Sequence, residues 1–525
     1  MAMISINNPG EIGVIKERKP HELPMNAWTS ATNMRFRAGF AEKSPGNSSL
    51  WGGATVAPYW LLNAVDAVSN LWLYAGLAKV YATDGSTHSD ITRVSGGDYA
   101  ATADLNWTGC VFNGIPIINN GVDVPQSWAL PISLATPLVA LANWPSTVRA
   151  KALRAYKNYL VALDITKSST RYPQLVKWSH PADPGVVPSS WDETDPTLDA
   201  GEFPLTSSPG AVVDCLSLRD TNIIYKDDSV HGMQFTGGPF VFRFYSIIGE
   251  MGILSRRCAV EFVDGRHAVF GNGDLFTHDG QNPTYLAPKR IKQHLFGEID
   301  STFYARSFTA HNAPRREVWF CYPESGMAVP SKALVWSYDD NTFGFRDLNA
   351  AHIASGLVNP LVASNAWSAD SQAWDDDTTT WDGSSFEPTR RRLVEAAPTS
   401  LKLLFCDDTQ QFDGVNMTSQ LERTGLAVPA RADKPPDMSG RKLIRSIWPR
   451  ISGTPGGVVS VYVGSQEKID GPVTYAAAKG YTIGSTEHLD FRVGGRLFAV
   501  KFESMDDIAW QLHGYELDVT RLGRF

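Results

Sequence analysis

HAVFGNGDLFTHDG, residues 267–280, decides the fold. A short apolar run, His267 to Phe270, meets a turn made of Gly271, Asn272, Gly273 and Asp274. A second apolar run, Leu275 to His278, follows and is closed by Asp279-Gly280. Runs of this length are too short for an amphipathic helix, and Gly, Asn and Asp supply the unusual dihedrals of tight turns. The stretch therefore predicts two short antiparallel strands joined by a hairpin.

The same plan recurs along the chain. It stands at Leu71–Gly85, Cys110–Gly121, Tyr159–Trp178, Asn222–Phe235, Glu317–Phe343 and Lys402–Gly414, which with 267–280 makes seven units. Their spacing, roughly 40 to 85 residues, is looser than a regular repeat array and leaves room for insertions. Units that cannot bury a face alone must stack on their neighbours, so the expectation is an all-β, β-propeller-like core of six, seven or eight blades. A multi-sheet sandwich is the structural alternative.

With 525 residues, more than one domain is expected. We expect an N-terminal arm and opening strand over 1–50, the propeller-like core over 51–430, and a C-terminal β domain, a small sandwich, over 431–525. The last boundary is placed at Ala430 to Pro436, where composition resets before strands near Ile444–Ile451, Val458–Val463, Arg496–Glu503 and Trp510–Val519. Two excursions interrupt the core. Pro181 to Pro209 is acidic and rich in Pro and Ser, and Trp367 to Pro388 carries Trp374-Asp375-Asp376-Asp377. Both read as long exposed loops. Thr520 to Phe525 reads as a frayed basic terminus or a docking peptide.

Composition narrows the function. Charged residues make up 19% and the net charge is −8, which argues against a protein that holds nucleic acid tightly. An acidic chain is compatible with a channel through which nucleic acid slides. The five cysteines (Cys110, Cys215, Cys258, Cys321, Cys406) are odd in number and widely spaced, so neither a disulfide framework nor a zinc site is expected. The N-terminus lacks the pattern of a signal peptide and no apolar run reaches bilayer length, so synthesis in the cytoplasm without membrane insertion is expected.

No phosphate loop, dinucleotide fingerprint, zinc-protease helix or nucleophile elbow is present. Neither catalytic nor cofactor-binding nor metal-ligating residues are assigned. Gly271 to Asp274 with His278-Asp279 offers oxygens for calcium but lacks the alternating carboxylates and closing Glu of a calcium loop. The pairs Asp227-Asp228, Asp339-Asp340 and Asp407-Asp408 supply carboxylates of the type a glycosidase uses. Each occupies the turn after an apolar strand, where Asp is favoured for turn capping. The basic-aromatic run Arg149 to Lys157 is read as a solvated face.

One further stretch, HELPMNAWTSATNMRFRAGFAEKSPG at 21–46, opens the fold. Met34 and Phe36 alternate with Arg35 and Arg37, which predicts a strand with one guanidinium face. Its Leu23, Pro24 and Trp28, then Asn33, Arg35, Phe36 and Arg37, then Glu42 and Lys43, form a pattern that resembles the start of tail nozzle (tail tubular) proteins of short-tailed bacteriophages. The likeness in residues is confined to this stretch. It implies a structural, non-enzymatic virion protein made in the host bacterial cytoplasm. Such a protein forms a homohexameric ring below the head-to-tail adaptor ring, encloses the channel through which phage DNA leaves, and carries tail fibres or spikes. The alternative from another class is a β-propeller glycan-binding or glycoside-hydrolase, receptor-binding virion protein.

Overall fold

The computed structural model describes residues 2–67, 69–238, 240–287, 289–358, 390–429 and 436–523. The excursion at 367–388 and most of the expected boundary at 430–436 lie outside the described residues.

Among the described residues, six four-stranded antiparallel sheets and a seventh sheet of six strands form the blades of a β-propeller. Their innermost strands are Trp60–Val65, Thr108–Phe112, Val148–Tyr156, Val212–Leu218, Ala259–Phe262, Phe308–Asn312 and His352–Val358. Each is packed beside the next, and the seventh returns to the first, so the ring is closed. Each of the seven sequence units falls in a different blade. The reason is burial: the second strand of a blade is covered on both faces, so it reads as a continuous apolar run. All six residues of Glu317–Tyr322 in blade six are buried. The Asn113-Gly114 turn of blade two, with φ of 51° and 89°, shows why Asn-Gly was a hairpin signal.

Blades are held to one another by apolar seams. Trp60, Trp107 and Trp128 fill the seam between blades one and two, Trp144 and Trp191 the next, and Tyr156, Ile224 and Met233 the one after. Trp191 belongs to the excursion 181–209, which is therefore not only an exposed loop. Its indole is 1% exposed and packs edge-on against Trp144 at 4.6 Å. Gly201–Pro204 from the same excursion pairs with Leu175 to Trp178 as the outermost strand of blade three.

The expected division of the chain ends is corrected. Blade seven takes its fourth strand, Asn47–Gly53, from the N-terminal region, where it pairs with Lys402–Cys406 and locks the ring. Residues 2–43 are not a separate arm. Ala2–Asn7 and Phe40–Lys43 both pair with Trp510–Gly523, and Ser30–Thr32 pairs with Ser419–Leu426. Two six-stranded sheets result, each built from both ends of the chain. They face one another across Trp28, Phe502 and Tyr515, whose rings are 5.5 to 6.5 Å apart, and form the sandwich. Thr520 to Gly523 complete the last strand.

The sandwich rests on the outermost strand of blade six, Thr342–Asp347. Strand Met34–Arg37 lies against it so closely that a Cβ at Gly344 would stand 2.4 Å from the Met34 carbonyl oxygen. Asn33 amide donates to the Phe345 carbonyl at 2.8 Å, and the Thr342 hydroxyl donates to the Phe36 carbonyl at 2.9 Å.

Candidate functional site

The residues of the 21–46 pattern converge on the joint between sandwich and propeller, and most are interior. Leu23, Trp28, Asn33, Arg35, Phe36 and Lys43 are buried, Glu42 is half-buried, and Pro24 and Arg37 are exposed. Trp28 donates its indole N–H to the Pro9 carbonyl at 2.6 Å. Asn33, in the left-handed region at φ 54°, donates to Asp347 at 2.7 Å and accepts from the Asp347 amide at 2.8 Å. Lys43 donates to the Asp506 carbonyl at 2.9 Å, and burial lowers its pKa.

Arg35 does not present a guanidinium face to solvent; it enters a buried ionic cluster. Its Nη2 lies 3.2 Å from Asp407 Oδ1, and its Nε is 3.5 Å from Glu317 and 3.9 Å from Glu42. Arg346 of blade six meets the same Asp407 oxygen at 2.7 Å and donates to Asn47 Oδ1 at 2.5 Å. Asn312 donates to the other Asp407 oxygen at 2.7 Å, and Asn47 donates to Glu395 at 2.5 Å. The cluster therefore ties the sandwich to blades six and seven.

Burial works to raise Asp407, but Arg35 and Arg346 outweigh it and hold the carboxyl below its usual range. Burial raises Glu317 despite Arg35, and raises Glu395 to about 7 against the pull of Arg346. Removing one member of such a buried cluster leaves the others' charges uncompensated, which is strongly destabilising.

A second polar site lies on the propeller axis. A cavity of about 380 Å³ is lined from six blades, by residues including Cys110, Arg154, Asp214, Arg257, Thr309 and His352. Arg154 grips Asp214 with two parallel bonds of 2.9 and 2.8 Å and donates to the Gly109 carbonyl at 3.0 Å. Asp214 also accepts the backbone amides of Arg257 and Cys215, both at 2.9 Å. Burial pushes Asp214 up, but Arg154 overrides it and the carboxyl stays ionised. Arg256 reaches from blade five to the carbonyls of Asn106, Lys151 and Asp104 at 2.9 to 3.2 Å. Burial, then Arg256 and Arg154, push Arg257 down to about 9, so it is still a cation at neutral pH. Burial pushes the thiols of Cys110 and Cys215 up to about 12 and His352 well below its ordinary value.

Beside this cavity, Tyr225 of blade four joins His267 and His278 of blade five in a directed chain. His278 Nδ1 accepts the Gly280 amide at 3.2 Å, so its Nε2 carries the proton and donates to Tyr225 Oη at 2.7 Å. His267 Nε2 must donate to the Ser217 carbonyl at 3.0 Å, leaving Nδ1 to accept the Tyr225 hydroxyl at 2.7 Å. Both imidazoles are neutral in this arrangement. Burial holds His267 down to about 3 and His278 to about 4.

The three acidic pairs stand in blades four, six and seven, and Asp407 of the last belongs to the buried cluster. Asp228 accepts from Ser208, Ser229 and the Gly210 amide. Asp339 pairs with Arg316 at 2.7 Å, Asp340 accepts the Ala38 amide at 3.0 Å, and Asp408 accepts from Ser48 at 2.5 Å. Asp274 pairs with Lys292 at 2.6 Å, and Asp279 caps its own turn through Gln281 and Asn282. Sequence reasoning assigned Arg154 to a solvated face and overlooked Asp214, Arg256 and Arg257. The adjacent pair Arg256-Arg257 just before a strand was the available signal.

No family model matches the chain and no curated protein matches it. Among solved structures, the chain is similar to the AfRom2 CNH domain at 8% identity, covering 58% of this chain and 90% of that one, with a TM-score of 0.33. It is similar to the WD40 domain of SCAP from fission yeast at 9% identity, covering 89% and 94%, with a TM-score of 0.29. A Synechocystis apocarotenoid oxygenase mutant gives 10% identity, 67% and 81% coverage, and a TM-score of 0.30. At these scores the likenesses carry no argument about function.

Proposed function

We propose that the chain is a structural virion protein, the subunit of a tail nozzle that continues the DNA-ejection channel below an adaptor ring and anchors fibres or spikes. The observation that supports this reading most is where the 21–46 pattern falls. Arg35, with Glu42 beside it, enters the buried cluster that joins the two β bodies, and Asn33 bonds Asp347 across the same joint, which suits a rigid assembly part whose two halves must hold register under force.

The axial cavity of each propeller, about 380 Å³, is the size of a small-molecule pocket. A duplex would therefore run between subunits of a homohexamer and not along a propeller axis. With a net charge of −8, an acidic lumen fits the task, because like charge lets DNA pass without sticking.

Native mass spectrometry of the purified chain tests the reading. Six copies per particle are expected. A chain that stays monomeric or forms trimers, and binds or cleaves glycan, moves the assignment to the receptor-binding class.

A further inference from the structure

We propose that the axial cavity binds a small oxyanion, of carboxylate or phosphate type, held by the Arg257 guanidinium and the Thr309 hydroxyl. Arg154 and Arg257 line the cavity together with the carboxylate of Asp214, and Arg256 precedes Arg257 in the chain. Arg154 uses that carboxylate bidentately, and Arg256 is spent on three backbone carbonyls. Arg257 contributes only its backbone amide to Asp214, and its buried Nη1 has no hydrogen-bond partner among the described residues.

Thr309 supplies an independent second observation. It is 7% exposed, its Oγ1 is also without a partner among the described residues, and its amide donates to the Arg257 carbonyl at 2.8 Å. Two unused donors on paired residues thus line the same cavity.

The other lining groups do not compete for Arg257. The thiols of Cys110 and Cys215 are neutral, the Tyr225 hydroxyl is committed to two histidines, and His352 Nδ1 accepts the Leu61 amide at 3.1 Å. Glu261 is the other carboxylate of the lining and is exposed. No ion pair joins it to Arg257 among the described residues, and Arg257 Nη1 is left without a partner. A buried guanidinium nitrogen without a partner is costly, and the planar fork of Arg257 matches carboxylate or phosphate oxygens. The excess of positive charge disfavours a metal cation or an amine. The site lies within one protomer, so it stands or falls independently of any ring.

The test is thermal unfolding of the full chain in sodium phosphate, in sodium acetate, and in sodium chloride at matched ionic strength. Phosphate or acetate should raise the midpoint with concentration as a specific ligand does, beyond chloride, and the stronger of the two identifies the class. Arg257→Gln should weaken the response about 10- to 100-fold, Arg257→Lys less, and Thr309→Val should also weaken it. Equal shifts in all three salts, or an undiminished response in Arg257→Gln, overturn the proposal. Crystals of the unaltered chain soaked in selenate give a readout that needs no variant. An anomalous peak within hydrogen-bond reach of Arg257 Nη1 is expected. Peaks confined to the outer surface, or none, overturn the site.

Discussion

Asp407→Asn probes the joint most sharply, because it removes one charge and almost no volume. Asp407 accepts from Arg346 and Asn312 at 2.7 Å each and from Arg35 at 3.2 Å. An asparagine keeps one acceptor oxygen but turns an NH2 group toward another donor, and it leaves two buried guanidinium groups short of a counter-charge. Breaking a buried pair in this way costs about 3–5 kcal/mol. Part is recovered, because Asp407 is one of the groups that raise Glu317, which ionises more readily once that charge is gone. The lower end, about 3 kcal/mol, is therefore expected. Urea unfolding followed by tryptophan fluorescence reads it, with Asp340→Asn as the control. Among the described residues Asp340 makes one exposed bond, to the Ala38 amide, and its loss should cost under about 1 kcal/mol. If the Asp407 variant shifts the transition no more than the control, the cluster does not hold the two bodies together.

Gly344→Val should disturb the same joint sterically. Its Cβ would meet the Met34 carbonyl at 2.4 Å, so a loss of about 1–3 kcal/mol and new protease sensitivity at the sandwich are expected. Trp28→Ala should destabilise the sandwich by about 3–5 kcal/mol, read as an early loss of near-ultraviolet dichroism, since Trp28 is 1% exposed between Phe502 and Tyr515. His267 and His278 are neutral when folded but protonate more readily when unfolded. Their stability contribution is complete above about pH 6.5 and falls as pH drops toward about 4 and 3, by about 1.4 kcal/mol per unit for each histidine. His278→Gln should flatten that dependence in unfolding titrations. Glu395 has the opposite sign. Its pKa is raised from 4.5 to about 7, so its contribution is complete below about pH 4.5 and lost as pH rises through about 7. Relative to the unaltered chain, Glu395→Gln should gain about 3 kcal/mol between pH 4.5 and 8.

The second strands of the blades were legible because both faces are covered, which writes burial into a local apolar run such as Glu317–Tyr322. Outer strands such as Val139–Ala140 and Pro283–Tyr285 are too short to show a period. The pairings of Asn47–Gly53 with Lys402–Cys406, and of Ala2–Asn7 with Trp510–Gly523, join segments at opposite ends of the chain. Periodicity reports a strand but not its partner, and for that reason the N-terminal region read as an arm. At the sites the same limit applies. Asp407 was recognisable as a turn residue, and its φ of 59° agrees, but nothing local shows that its carboxylate meets two arginines. Arg154 sits on an innermost strand, where a polar axis replaces solvent, and a charged residue facing such an axis has the sequence signature of one facing water.

The most direct test of the nozzle assignment is electron cryomicroscopy of the assembled chain. A six-fold ring is expected, with the duplex-wide channel between subunits, the seven-bladed propellers set around it, and a lumen dominated by Asp and Glu. A trimer, a persistent monomer, or a lumen lined mainly by Lys and Arg would contradict the assignment.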